Sequence, residues 1–169
     1  LKSFTKQVTK ISFLQSLKNH RHLRGAFSPQ TKVTVFSADR KFFDSVSKKM
    51  QRSSYFVSLS PKRPNRIQEN LIKNQSDLGI YYTTGSQSAK RLNVLQDRIR
   101  KKLIVINSAH PGLIKRPDSF MAVINMHSRN YKSGEWLSHF LFRSTEQNKD
   151  FYLNTKNSSR LSKKTSQGS

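Results

Sequence analysis

A chain with 32 lysines and arginines against 9 aspartates and glutamates, a formal net charge of +23 over 169 residues, repels itself in whatever compact state it adopts. Such a surplus makes physical sense where a polyanion supplies phosphates and counterions are released on contact. The excess is also distributed. The first acidic residue is Asp39, and basic clusters recur at Lys62 to Arg66, Arg98 to Lys102 and Arg160 to Lys164. A protein that reads one DNA groove concentrates charge on one element, whereas one embedded in folded RNA meets phosphate on several sides.

Hydrophobic residues make up 34% of the chain, 11 of them Phe, enough for a modest core. The composition suits two small lobes. No apolar run approaches the roughly 18 residues of a membrane span. Cysteine is absent, which excludes disulfides, thiolate metal sites and a cysteine nucleophile. The first 38 residues are basic, rich in Ser and Thr and free of acid, as targeting segments tend to be. Because Val8, Ile11, Leu14 and Leu17 nevertheless share a helical face, the expectation is a mature N-terminus left after removal of a presequence.

The apolar spacing predicts a helix from Phe4 to about His22, ended by Gly25 and Pro29. Lys32 to Ser37 reads as a strand, and Asp39 caps a helix whose buried stripe is Phe42, Val46 and Met50. Tyr55 to Leu59 is a second strand, and Pro61 to Asn65 a basic turn. Glu69 to Gln75 is a short helix or a strand edge, and Leu78 to Thr83 a strand. From Leu92 to Ile106 a helix giving way to a strand competes with one extended strand. His110-Pro111-Gly112 is a turn. Phe120 to Asn125 is a strand, Ser128 to Gly134 a polar turn region, and Trp136 to Phe142 a closing strand. After Arg143 the composition is that of a tail unable to order itself without a host.

The chain lacks familiar catalytic signatures. No Gly-rich phosphate loop occurs among its six glycines. Its histidines, His20, His22, His110, His127 and His139, have no carboxylate at metal-ligand spacing. Glu135 is the one acid placed to attract notice, and a backbone hydrogen-bond acceptor is its plainer role.

Three segments resemble the universal small-subunit ribosomal protein eight family. Leu14-Gln15-Ser16-Leu17-Lys18-Asn19 is similar to its first-helix pattern. Val33 to Phe56 follows its strand, turn and helix, with Ser54-Tyr55-Phe56 in place of Gly-Tyr-Ile. Ser128-Arg129-Asn130 and Ser133-Gly134-Glu135-Trp136-Leu137 resemble its Ser-Thr-Ser-Lys-Gly loop and closing Gly-Gly-Glu strand, although Met126 and His127 replace the first Ser and Thr. His110-Pro111-Gly112 echoes its Ser-Lys-Pro-Gly turn. Lys62 to Arg91 and the tail have no counterpart.

The resemblance implies an α+β, sandwich-like fold. An N-terminal helix-strand-helix-strand lobe (1–66) would be followed by a mostly-strand RNA-binding lobe (67–142) and a basic tail (143–169). It implies a non-catalytic structural constituent of a mitochondrial small ribosomal subunit that binds folded ribosomal RNA and aids assembly. Neighbouring ribosomal proteins would be its other partners, with no cofactor, metal, membrane or small-molecule substrate. The RNA-binding residues would be Lys18, Asn19, Arg21 and Arg24 in the first lobe and Ser128, Arg129, Asn130, Lys132, Ser133 and Gly134 in the second. Arg98, Arg100, Lys101 and Lys102 are added on charge. The alternatives are a lineage-specific ribosomal subunit of another family, an RNA-processing or modifying enzyme, or location in another organelle or the cytoplasm.

Overall fold

The computed structural model describes residues 2–50, 53–62, 66–126 and 128–142, with side chains from residue 10 onward. The expected basic tail, most of the turn at 63–65, and His127 lie outside the described residues. Among the described residues fourteen elements follow one another, of which six α-helices and five strands build the body. In chain order these are α1 (Lys2–Leu17), β1 (Val33–Ser37), α2 (Arg40–Ser47), β2 (Ser54–Ser58), α3 (Ile67–Lys73), β3 (Leu78–Thr83), α4 (Ser86–Asn93), α5 (Asp97–Arg100), β4 (Leu103–Asn107), β5 (Ala122–Asn125) and α6 (Ser133–Leu141). Short 3-10 turns occupy Lys18–Leu23, Pro111–Leu113 and Pro117–Ser119. Among the described residues, no helix is long and apolar enough to cross a membrane.

The five strands form one sheet in the order β2-β1-β3-β4-β5, and all four pairings are parallel. Parallel neighbours cannot be joined by hairpins, so every connection must cross a face of the sheet. The sheet is therefore covered on both sides, and its inner strands read as near-continuous apolar runs. Every residue of β1, β3 and β4 is buried. Side chains alternate between the two faces as the strand period demands. Val33, Val35, Ile80, Tyr82, Ile104, Ile106 and Ile124 face the core under α1, α2 and α6. Phe36, Tyr81, Leu103 and Val105 face the core under α3, α4 and α5.

The α+β composition expected from the sequence is present, with helices and strands alternating along the chain. The segments 1–66 and 67–142 share one sheet, because β1 from the first pairs with β3 from the second over Val33↔Leu78 to Phe36↔Tyr81. The first helix, the Asp39-capped helix and the strands up to Thr83 fall where the sequence puts them. Glu69 to Gln75 resolves mostly as helix, and the Leu92 to Ile106 run as helices giving way to β4.

The expected closing strand, Trp136 to Phe142, is corrected: all but Phe142, which is extended and bridges Phe27, belongs to helix α6. Among its buried positions, Gly134, Leu137, Ser138 and Leu141 are spaced as one helical face. Two of these four are small and not strongly apolar, so the helical period is invisible in hydrophobicity alone. The smallness of Gly134 has a packing cause. A Cβ on Gly134 would collide with Ser45 Oγ and Val46 Cγ2 on α2 and stand 2.8 Å from the Phe42 carbonyl oxygen.

Gly134→Ala is expected to lower stability by about 1 to 3 kcal/mol, since the Phe42 backbone cannot give way and overpacking outweighs the better helix propensity of Ala. Urea denaturation measures it, and an unchanged midpoint would show that α2 and α6 can separate freely.

Candidate functional site

In a doubly wound sheet, ligands bind beyond the carboxyl ends of the strands where successive connections leave toward opposite faces. Here that switch lies between β1 and β3, since β1 leads into α2 on one face and β3 into α4 on the other. Each of the five strands ends at this edge in a short polar residue: Ser37, Ser58, Thr83, Asn107 and Asn125. At β1, the Ser37 hydroxyl accepts from Asp39 N at 2.9 Å, and the Asp39 carboxylate accepts from Lys41 N at 2.9 Å, which caps α2. At β3, the Ser88 hydroxyl lies 3.3 and 3.4 Å from the Thr84 and Gly85 amides and donates to Gly85 O at 3.0 Å.

Asn107 is the hub of this edge. Its Oδ1 accepts from Thr83 Oγ1 at 2.7 Å and from Ala109 N at 3.1 Å. Its Nδ2 donates to Asn125 Oδ1 at 3.0 Å. Thr83, Asn107 and Asn125 are register partners on β3, β4 and β5, so the bonds run as a ladder across the sheet. Buried at 0% exposure, Asn107 gains full value from these partners.

The loop from β5 to α6 closes over this edge. It reaches past β4, where the Arg129 guanidinium donates to Thr84 O at 2.8 Å and Asn130 N donates to the Tyr82 hydroxyl at 3.2 Å. It then meets α2, where the Ser45 hydroxyl lies 2.7 Å from Tyr131 O. Asn130 Oδ1 accepts from Lys132 N at 2.9 Å, and the Ser133 hydroxyl donates to Asn130 O at 2.7 Å. Tyr82 itself stacks on Phe42 with ring centroids 4.3 Å apart, and burial pushes its phenol pKa up.

The fold distributes the sequence-predicted RNA residues over three places. Ser128, Arg129, Asn130, Lys132, Ser133 and Gly134 lie at the carboxyl edge, with Arg129 and Lys132 exposed and Ser133 and Gly134 buried. Gly134 is packing against α2 rather than a contact surface. Lys18, Asn19, Arg21 and Arg24 are exposed along a segment beside β5, where Ser16 Oγ reaches Asn125 O at 3.5 Å and Gly25 N bonds Phe140 O at 2.8 Å. Arg98, Arg100, Lys101 and Lys102 lie at the opposite, amino edge, before β4.

Arg100 is a correction within that group, being buried at 0% exposure. Its guanidinium donates to the carbonyls of Leu95 (3.0 Å), Lys115 (2.8 Å) and Asn93 (2.8 Å) and to Ser119 Oγ (3.0 Å), and sits 4.8 Å from the Phe120 ring centroid. Burial, and then Arg116, pull its pKa down, but a guanidinium stays charged in a protein. It clamps the connections around β4 and does not face a ligand.

Sequence reasoning missed Tyr82, Thr84, Ser88, Asn107 and Lys41 as parts of this edge. The available signal was the polar residue ending each strand, which gathers in space only when the strands are parallel. Glu135 stands in the first turn of α6, 3.9 Å from His139 Nε2. Among the described residues no group of three His, Asp or Glu side chains is gathered as for a metal.

No protein-family model and no curated protein matches the chain. A solved structure of a fungal multi-domain GH3 β-N-acetylglucosaminidase, described as having a GCN5-related glucosamine N-acetyltransferase region, is similar at TM-score 0.52 and 13% identity. The match covers 68% of this chain and 14% of that one. At this identity the likeness is one of fold, and the chain spans a small part of that protein's length. It corrects the expectation of a non-catalytic ribosomal constituent without a small-molecule substrate, because the shared fold occurs in an enzyme chain and the Ser133–Trp136 segment opens a helix rather than a closing strand.

Arg100→Met is expected to strand three backbone carbonyls and cost at least about 3 kcal/mol, taking about 1 for each. Chemical denaturation checks the loss.

Histidine burial gives a second expectation. Burial, then Lys49, lowers the pKa of His139 below the ordinary 6.5 against the opposing pull of Glu135, and burial, then His22, does the same for His20. The unfolded chain therefore binds more protons below pH 6.5, so stability is level above that pH and falls as pH drops toward the folded values. The slope is at most about 1.4 kcal/mol per pH unit for each residue. Denaturation midpoints between pH 5 and 8 test this, and His139→Gln should flatten the curve.

Proposed function

We propose that this chain is an RNA-binding α/β domain. The observation that carries the reading is its +23 charge, set on a fold whose exposed cations occupy both edges of the sheet and the flank of β5. Among the described residues, carboxylates pair with Arg40, Arg66 and Arg116, each on side chains about 60 to 70% exposed, where an ion pair neutralises little. Most of the positive charge is thus left for phosphate.

A second reading is favoured by the carboxyl edge: an enzyme that processes or modifies RNA and takes a small polar substrate between the ends of β1 and β3. The polar residues converging there support it, as does the fold likeness to an enzyme chain. Asp39, Thr84, Ser88 and Arg129 border that crevice.

Binding of the full chain to a structured RNA, followed across salt, tests the first reading. Six or more phosphate contacts predict a loss of about a thousandfold or more between about 50 and 200 mM salt. Weak, salt-independent binding would sink it. Mass spectrometry of the recovered RNA tests the second reading, since cleavage or a mass increment requires turnover.

A further inference from the structure

We propose that Tyr131 is a stacking platform for an unpaired base of single-stranded RNA, with Lys41 and Lys132 meeting the phosphates on either side. The proposal rests on the RNA-binding reading and names the site at which it operates.

Tyr131 is a large aromatic left 41% exposed in the loop between β5 and α6. Its ring stands among cations. Lys41 Nζ is 5.8 Å from its centroid, Lys132 follows it in the chain, and exposed Arg129 precedes it by two residues. Of the nearby acids, Asp39 is engaged in capping α2, and Asp44 is paired with Arg40 at 3.4 Å. An aromatic ring with one lysine against it and further cations beside it in the chain has the two parts that a single strand requires, a π surface for the base and positive charge for the backbone.

The platform is also held in place. Asn130 N bonds the Tyr82 hydroxyl, Ser45 Oγ lies 2.7 Å from Tyr131 O, and Ser133 Oγ bonds Asn130 O. Backbone fixed on both sides of the ring means that little ordering entropy is lost on binding. A duplex offers no free base face to such a ring, so the partner is unpaired RNA. An anionic membrane would be met by a broader apolar patch than this single ring.

The test uses the full chain with a fluorescent single-stranded RNA of about ten nucleotides carrying 2-aminopurine, and a duplex RNA of equal length. Tyr131→Ala is expected to weaken single-strand binding by about 5- to 150-fold, with duplex binding and the unfolding curve unchanged. Tyr131→Trp should retain affinity and the 2-aminopurine quenching that Tyr131→Ala abolishes. Lys132→Ala should lower the salt slope by about 0.7. If Tyr131→Ala leaves single-strand binding intact, or weakens single strand and duplex alike, the platform is overturned while RNA binding itself stands. Absence of RNA binding by the unaltered chain would sink both readings. Loss of binding to phosphatidylserine vesicles alone, with RNA affinity kept, would assign the ring to a membrane and overturn the proposal.

Discussion

Parallel pairing of β1, β3 and β4 is the constraint on which the rest of this structure depends. Strands hydrogen-bonded on both sides and buried on both faces need helices above and below, and each helix must carry the chain back across the sheet before the next strand starts. All five strands therefore end at one edge. The chain has little freedom over where its loops gather, but full freedom over what they carry. Asn107, bonded to Thr83 on one side and to Asn125 beyond, joins three of those ends into a single polar seam.

Charge is the second constraint, and the fold meets it unequally at its two edges. At the amino edge one cation is drawn wholly inside, where Arg100 spends its donors on carbonyls and a hydroxyl instead of a carboxylate. With so few acids in the chain, neutral oxygens are the partners at hand, and a guanidinium can satisfy several at once. The neighbouring Arg98, Lys101 and Lys102 stay in solvent. Four cations within five residues thus include one structural clamp. Charge counts along a sequence say how much phosphate a chain can meet, but not which cations remain outside to meet it.

What could be read from the sequence follows from this division. Local features were legible: the Asp39 cap, the Phe42 and Val46 stripe, and strands such as Leu78–Thr83 carry their signals within a few residues. The order of the sheet was not, because nothing local distinguishes a strand awaiting a parallel neighbour from one awaiting a hairpin. Helix α6 was misread because Gly134, which lets it approach α2, and Ser138 erase its apolar period. The site was half legible for the same reason. The segment from Ser128 to Lys132 lies at the carboxyl edge of the sheet, while its partners Tyr82, Thr84 and Ser45 come from elements remote in sequence and become visible only through the sheet order.

That loop links the two constraints. Beginning at β5, it passes β4 and fastens to β3 and α2, the two elements that border the switch between β1 and β3. Its bonds use backbone groups and the Arg129 guanidinium, so they leave the Tyr131 ring and the Lys132 ammonium directed by a fixed chain rather than by their own packing. Closing the crevice and presenting a cationic aromatic surface are then one act of the same few residues. An edge that in other doubly wound sheets is a cleft for small ligands here carries a cationic segment fastened to it through Arg129 and Thr84.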